Sequence, residues 1–201
     1  MAHLLGVEAL HVEFPTAVVF DSVTLGVSEG DRIGIVGRNG DGKSTLLRLL
    51  AGTMYPNSGR LTRVNGLRVG VLDQRDSLVD EQTIGQAVVG DMPEHEWAGN
   101  ARTRDVIAGL LTDLSWDAVI GSLSGGQRRR VQLAQLLVGD WDLICADEPT
   151  NHLDLEAIEQ LEQALETYEG ALLLVTHDRR MLDTVRTDRR WQVQDGRVTE
   201  R

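Results

Sequence analysis

The sequence has few of the features that mark extracellular or membrane-spanning proteins. Of its 201 residues one is a cysteine, Cys145, so the chain can form no internal disulfide. A reducing environment suits such a composition. No run of about 18 apolar residues is present, so no membrane-spanning helix is predicted. Because the N-terminus also lacks the pattern of a signal peptide, we expect a cytoplasmic protein without direct membrane insertion.

Positive charge is also scarce. The chain has 31 Asp and Glu residues against 20 Lys and Arg residues, which gives a formal net charge of −11. A protein this acidic is a poor general binder of nucleic acid. The length fits one domain, with or without a subdomain folded into it. A chain of this size buries roughly 70% of the surface that its unfolded form exposes, so its core needs no disulfide or metal.

Lysine is the scarcest basic residue, because 19 of the 20 basic residues are Arg and only Lys43 is Lys. A general preference for Arg explains the scarcity but not the position of Lys43. It falls within Gly37-Arg38-Asn39-Gly40-Asp41-Gly42-Lys43-Ser44, which fits the phosphate-loop pattern G-x-x-x-x-G-K-[ST]. In an Arg-preferring chain, this placement indicates a position that Arg does not fill.

Each part of this loop has a physical reason. Glycines let the backbone wrap closely around phosphate oxygens, and the amides and the following helix N-terminus present partial positive charge. Lys43 would lie near the β- and γ-phosphates of a nucleotide, Ser44 would bind Mg²⁺, and Thr45 would contact the α-phosphate side. The loop therefore predicts nucleotide contacts at Gly37, Asn39, Gly40, Gly42, Lys43, Ser44 and Thr45. The alternative, a glycine-rich turn without a ligand, is disfavoured by the apolar strand before the loop and the helical pattern after it.

Asp41 departs from the usual loop, in which this position is small and neutral. Its carboxylate adds negative charge close to the triphosphate unless the side chain points outward. The sequence therefore leaves nucleotide affinity open at this residue.

Apolar strands that alternate with helical segments predict an α/β fold with a parallel core sheet. Runs at 4–12 and 18–27 that are mostly apolar or alternating indicate an antiparallel β subdomain at the N-terminus. Asn65-Gly66 predicts a tight hairpin, and Asp195-Gly196 predicts a turn between two further strands. The polar helical stretch after Asn65-Gly66 indicates a helical subdomain at about 78–138, inserted in a single domain that spans 1–201.

A second acidic feature follows the apolar run 141–146, which ends in Asp147 and Glu148. At the carboxyl edge of a parallel sheet, Asp147 would hold Mg²⁺ through water and Glu148 would face the attacking water as general base. The alternative is an exposed acidic pair that opens the next turn. Cys145 is interpreted as a small buried core residue.

The segment Leu123-Ser124-Gly125-Gly126-Gln127 matches the signature of ABC ATPases, and with it the whole chain resembles an ABC nucleotide-binding domain. Physically the segment is a serine with free amides at a helix start, which suits a phosphate. The alternative is a helix cap with flexible glycines. The resemblance implies a P-loop ABC-type fold, ATP and Mg²⁺ as ligands, and Ser124, Gly125, Gly126 and Gln127 contacting ATP that a second ABC domain holds.

The resemblance assigns further residues. Gln74 looks like the glutamine that senses Mg²⁺ and the γ-phosphate, and His177 looks like the switch histidine that contacts the γ-phosphate. Asp154 looks like the D-loop aspartate that faces the partner domain. Phe14 lies where the family places a ring against adenine, although an apolar core ring is the alternative. Catalysis would then rest on Glu148, His177 and Lys43.

The segment Asn151-His152-Leu153-Asp154 is typical of ABC-F proteins, and the chain is most similar to the first domain of that group. This implies a second ABC domain as partner, in the same full-length chain or in a homodimer, and the ribosome as a candidate target. The function implied is ATP hydrolysis in translation or ribosome-associated resistance. The alternatives are an ATPase subunit of an ABC membrane transporter and a nucleotide-gated binding module with negligible turnover, which Glu148 disfavours. Arg128-Arg129-Arg130 is interpreted as a solvated helix face, with a contact site as the alternative.

Overall fold

The computed structural model describes residues 2–72 and 77–200. Its strands are β1 (His3–Phe14), β2 (Ala17–Ser28), β3 (Arg32–Val36), β4 (Ser58–Arg63), β5 (Val69–Leu72), β6 (Leu143–Asp147), β7 (Ala171–Val175), β8 (Arg189–Gln194) and β9 (Arg197–Glu200). Its α-helices are α1 (Lys43–Ala51), α2 (Ile84–Val89), α3 (Glu94–Gly99), α4 (Ala101–Leu111), α5 (Gly125–Val138), α6 (Leu155–Glu166) and α7 (Arg179–Thr184), with a 3-10 turn at Ile120–Ser122.

Two sheets are present in the described part of the chain. The smaller one has the order β2-β1-β4, and β1 pairs antiparallel with both neighbours. This confirms the antiparallel β subdomain that the N-terminal runs predict. Its inward residues, which include Leu5, Leu10 and Phe20, are fully buried in one apolar core that α1 shares.

The larger sheet has the order β5-β6-β7-β3-β8-β9. The β6-β7, β7-β3 and β3-β8 pairs are parallel, which confirms the predicted parallel core. Every residue of β6 and β7 is buried. Parallel strands that are covered on both faces need such continuous apolar sequences. The carboxyl ends of β3, β6 and β7 therefore meet at one edge.

The two Asx-Gly pairs have different structures. Asp195-Gly196 joins β8 and β9 as an antiparallel hairpin, with positive φ angles of 48° and 74°. This is the geometry that a two-residue hairpin loop requires. The hairpin predicted at Asn65-Gly66 is wrong, because β4 belongs to the smaller sheet and β5 to the larger one. The turn there carries the chain from one sheet to the other.

The chain divides into two compact units. The first comprises Met1–Val71, Trp141–Pro149 and Glu169–Arg201, and it contains both sheets, α1 and α7. The second comprises Leu72–Asp140 and Thr150–Tyr168, and within it α5 packs against α2, α4 and α6. Residues 78–138, for which a helical subdomain is predicted, lie within this second unit. Among the described helices none is long and apolar enough to cross a bilayer.

Candidate functional site

The phosphate-loop sequence joins β3 to the N-terminus of α1. Gly42 is the N-cap residue of α1 and has a φ of 100°, a left-handed conformation that other residues rarely adopt. A Cβ atom at Gly42 would lie 2.6 Å from a methyl carbon of Val19, and one at Gly37 would lie 2.4 Å from the carbonyl oxygen of Val193. Both positions therefore require glycine, which leaves the amides at the start of α1 open to a ligand.

Lys43 is directed back into this loop. Its side-chain Nζ donates to the carbonyl oxygens of Gly37 and Arg38, each at 3.0 Å. The residue is 6% exposed. The ammonium group is thus already held beside the loop, where a bound phosphate would replace the carbonyls with charged acceptors.

Asp41, whose charge the sequence leaves as an open question, folds onto the backbone. Its Oδ2 accepts from the amide of Arg38 at 2.7 Å, and its own amide donates to the Arg38 carbonyl at 3.2 Å. These two bonds close a tight turn across the loop. The Asp41 side chain therefore has a structural role in the shape of the loop.

Asp147 and Glu148 end β6 at the same sheet edge. Asp147 is buried and lies opposite Val175 of β7. Glu148 has a φ of 45°, and its amide donates to the Val175 carbonyl at 2.9 Å. Such a left-handed non-glycine residue stores strain, which is common at active sites. The turn directs Glu148 away from the strand and leaves its side chain 14% exposed.

His177 follows the end of β7 and contacts both the phosphate loop and the end of β6. Its Nε2 lies 3.0 Å from Oδ1 of Asn39 and 3.3 Å from Oε1 of Glu148. Burial raises the pKa of the Glu148 carboxyl above its usual range, and the neighbouring His177 and Lys43 offset part of that rise. The histidine thus joins the phosphate loop to the acidic strand end.

Phe14 and Cys145 also lie in the first compact unit. Phe14 is the last residue of β1, opposite Ala17, and is 45% exposed, so it is not a core ring. Gln74 lies outside the described residues. Cys145 is fully buried, and burial raises the pKa of its thiol to about 12, which confirms it as a core residue.

The second unit holds the signature segment. Ser124 caps α5: its hydroxyl accepts from the amide of Gln127 at 3.4 Å, and Oε1 of Gln127 accepts from the Ser124 amide at 2.9 Å. This capping box uses a Ser-x-x-Gln spacing that is recognisable in the sequence. Gly125 is exposed, with open space where a Cβ would be. The cap and a phosphate site are compatible, because the box fixes the helix start and leaves the glycine amides accessible.

Asp154 and the arginine triplet also lie in this unit. Oδ1 of Asp154 caps α6 by accepting from Ala157 at 2.9 Å, although the residue stays exposed. Arg128 pairs with Asp80 at 2.6 Å, and Arg130 forms a two-point ion pair with Asp113. The triplet is therefore largely engaged within its own unit, which the sequence alone does not reveal.

Comparison with known proteins places the chain in a family. The family model described as ABC transporter matches residues 20–151, which is more than half of the chain. The energy-dependent translational throttle protein EttA of Mycobacterium tuberculosis (strain ATCC 25618 / H37Rv) is 36% identical over 84% of this chain and 37% of its own length. EttA of Escherichia coli (strain K12) is 33% identical over 92% of this chain and 34% of its own length.

Another relative has a different description. The uncharacterized ABC transporter ATP-binding protein YfmR of Bacillus subtilis (strain 168) is 34% identical over 96% of this chain and 36% of its own length. The chain thus spans little more than a third of the length of the curated relatives that it matches.

Two solved structures share the fold. An ATP-binding subunit of an ABC transporter has a TM-score of 0.85 and 22% identity, over 98% of this chain and 89% of that one. A bacterial ABC transporter cassette, solved as a dimer, has a TM-score of 0.82 and 23% identity, over 98% of each chain. The family match and the identity to the curated relatives show that this chain belongs to the ABC family of ATP-binding domains, which hydrolyse ATP.

Proposed function

We propose that the chain binds and hydrolyses MgATP as one nucleotide-binding domain of an ABC-F type protein that acts on the ribosome. The observation that carries the proposal is the meeting of three elements at one sheet edge. His177, after β7, lies within hydrogen-bond distance of two residues. These are Asn39 of the phosphate loop and Glu148 at the end of β6. Lys43 lies in the same loop with its ammonium group directed inward.

In this proposal, the phosphate loop and the start of α1 bind the triphosphate. The amides at the start of α1 face the β-phosphate, and the Lys43 ammonium exchanges two neutral carbonyl partners for charged phosphate oxygens. Asp41 does not oppose this, because its carboxylate accepts from the Arg38 amide. Thr45, in the first turn of α1, lies on the α-phosphate side.

The donors near the triphosphate suit magnesium. Ser44 offers a hydroxyl at the start of α1, and Asp147 offers a carboxylate at the end of β6. Gln74, which the family resemblance assigns to the same ion, lies outside the described residues. These are hard oxygen ligands, few in number, as Mg²⁺ prefers when it keeps several waters. Bound Mg²⁺ would neutralise charge on the β- and γ-phosphate oxygens.

The role that we propose for Glu148 is to activate the attacking water. Its carboxylate accepts a proton as the water oxygen bonds to the γ-phosphorus and the bond from that phosphorus to the bridging oxygen breaks. Its raised pKa makes it a stronger base than an ordinary exposed glutamate. The Nε2 of His177, which lies 3.3 Å from that carboxylate, donates to the γ-phosphate.

A second ABC domain would complete the site. Ser124 and Gly125 are exposed at the start of α5, so another domain's nucleotide can approach them. Asp154 is exposed one residue before α6 and would face the same partner. The related cassette that was solved as a dimer supports this arrangement.

The target is proposed from two observations. Asn151-His152-Leu153-Asp154 has the ABC-F pattern, and two relatives named as translational throttle proteins are 33% and 36% identical. The alternative, an ATPase subunit of a membrane transporter, is supported by the Bacillus subtilis relative, which is described as an ABC transporter ATP-binding protein. The two functions differ in where the ATP-bound protein is found.

Sedimentation distinguishes these targets. The full-length protein carrying Glu148→Gln should hold ATP and pellet with ribosomes in ATP, but remain in the supernatant in ADP. A Lys43→Ala version should not pellet in either nucleotide, since it lacks the phosphate contact. Pelleting with membrane vesicles and not with ribosomes would favour the transporter function instead.

The exposed ring at Phe14 gives a separate prediction for adenine. If the ring stacks on the base, Phe14→Ala should weaken ATP binding by about 1–3 kcal/mol, which is roughly 5- to 150-fold in the dissociation constant measured by calorimetry. Tyr55→Ala is the matched control, because that ring is 87% exposed after α1 and has no assigned role. Unchanged affinity in a folded Phe14→Ala protein would remove Phe14 from the nucleotide site.

A further inference from the structure

We propose that Asn39 is a positioning residue that acts on His177 and not primarily a ligand of the nucleotide. It would hold the Nε2–H of His177 toward the place that the γ-phosphate takes. The inference rests on the proposed function and deepens it. It gives Asn39 a different role from the nucleotide contact that the loop pattern predicts.

The geometry fixes which atom carries the proton. Nε2 of His177 faces two oxygens, Asn39 Oδ1 at 3.0 Å and Glu148 Oε1 at 3.3 Å. Oδ1 of Asn39 is a carbonyl oxygen and only accepts hydrogen bonds, so Nε2 carries the hydrogen in this contact. The Glu148 oxygen beside the same nitrogen is compatible with an Nε2–H donor. Together they select the Nε2–H form of the ring.

His177 needs such a partner because its own segment does not enclose it. The side chain is 51% exposed, in the short stretch between β7 and α7. Asn39, by contrast, belongs to a loop whose shape is fixed by the Arg38–Asp41 turn and by glycines without room for a side chain. The Asn39 contact therefore ties an exposed ring to the rigid loop that would hold the triphosphate.

The γ-phosphate needs the same hydrogen. A charged phosphate oxygen is a stronger acceptor than a neutral amide oxygen, so it takes the Nε2–H from Asn39 when ATP binds. The ring is then already in the tautomer and orientation that donation requires, and no reorganisation is left for the catalytic step. Without Asn39, only a fraction of the molecules would present the ring in this form, which lowers turnover more than affinity.

The test compares Asn39→Ala, Asn39→Ser and Asn39→Asp in the full-length protein. Alanine and serine no longer reach the ring, whereas aspartate keeps an acceptor oxygen at the same place. Asn65→Ala, at an exposed turn between β4 and β5, is the matched control. Folding is checked by melting temperature, ATP affinity by calorimetry, and turnover by phosphate release. The tautomer of His177 is read from ¹⁵N-histidine NMR spectra, assigned by the loss of signals in His177→Gln.

Asn39→Ala and Asn39→Ser should lower kcat by about 3- to 10-fold, the rate equivalent of one lost hydrogen bond. Their ATP dissociation constants should stay within about twofold of the unsubstituted protein. The His177 signals of the nucleotide-free protein should move from the pure Nε2–H pattern toward a mixture of tautomers. Asn39→Asp should keep the hydrogen on Nε2, because a carboxylate oxygen accepts it at the same place, and Asn65→Ala should change nothing.

Two results would overturn the inference. If Asn39→Ala weakens ATP binding tenfold or more while kcat and the His177 signals stay unchanged, Asn39 is a nucleotide ligand. If all three quantities stay unchanged, the contact has no role. A failure of the proposed function looks different, because the unsubstituted protein would then release no phosphate. The NMR spectrum of the nucleotide-free protein would still report the Asn39–His177 contact.

Discussion

Replacing Glu148 with glutamine in the full-length protein is expected to lower ATP turnover by about 10²- to 10⁴-fold, the range for losing a general base. The amide has nearly the same shape, so it fits the turn where Glu148 has a φ of 45° and its amide donates to Val175. It has no basic oxygen that can take a proton from water. In the proposed function the phosphate loop makes the triphosphate contacts, so ATP affinity should change by no more than a few fold. Phosphate release and equilibrium binding of ATP measure the two quantities separately.

The control for this substitution is Glu169→Gln, because Glu169 is an exposed glutamate of the same compact unit and lies outside the site. It should leave turnover unchanged. Hydrolysis at the normal rate by Glu148→Gln would take the general-base role away from this residue. A parallel loss of ATP binding would mean that the carboxylate supports the shape of the loop and not the chemistry.

The parallel core could be predicted because burial leaves a clear pattern in the sequence. β6 and β7 are covered on both faces, so their residues are continuously apolar and are bounded by polar turns. The antiparallel subdomain was less directly readable, since β1 is buried without a break at residues 4–7 and alternates only after the register shift that follows Val7. These strands have sequences that suit only one kind of environment.

The wrong prediction of a hairpin at Asn65-Gly66 shows what a turn sequence cannot reveal, namely which strands pair with each other. The pair has the same chemistry as Asp195-Gly196, and both glycines have φ angles close to 75–80°. One turn returns the chain to a neighbouring strand, and the other delivers β4 and β5 to different sheets. The turn sets the local backbone direction, but the partner of each strand is set by long-range pairing: β4 bonds to β1, and β5 neighbours β6. Nothing in the turn residues distinguishes the two cases.

At the site, too, local features could be predicted from the sequence and long-range contacts could not. Candidate residues could be proposed motif by motif, because each position of a motif has a chemical demand that few residue types meet. Contacts between motifs could not be predicted. Asn39 and His177 are 138 positions apart, and neither motif contains information about the other. The outward position of Phe14 also needed the structure, because an aromatic residue at a strand end suits a core or a ligand equally well. Asp41 could not be interpreted until its carboxylate was seen to bond to the Arg38 amide.

The lone lysine gives the second prediction with a large effect. Lys43→Arg keeps the positive charge, yet it is expected to weaken ATP binding at least about tenfold, which is 1.4 kcal/mol. The Nζ atom has a space bounded by the Gly37 and Arg38 carbonyls, each 3.0 Å away, and the residue is 6% exposed. A planar guanidinium is larger, with donors in a fixed fork, and it does not fit where a compact ammonium does. Lys43→Ala, which removes the charge as well, should weaken binding by roughly 30-fold or more, as when one partner of a buried charge pair is truncated.

Calorimetric titration of the full-length protein with MgATP measures both effects, and the melting temperature shows whether each variant is folded. Arg60→Lys is the matched control, because it exchanges the same two side chains at an exposed position of β4 and should leave affinity unchanged. An arginine variant that binds ATP as tightly as the unsubstituted protein would mean that charge alone matters at this position. The single lysine would then be unexplained in a chain whose other 19 basic residues are all arginine. A large loss in both variants would instead show that the loop selects the shape of the cation as well as its charge, as the enclosed position of Nζ implies.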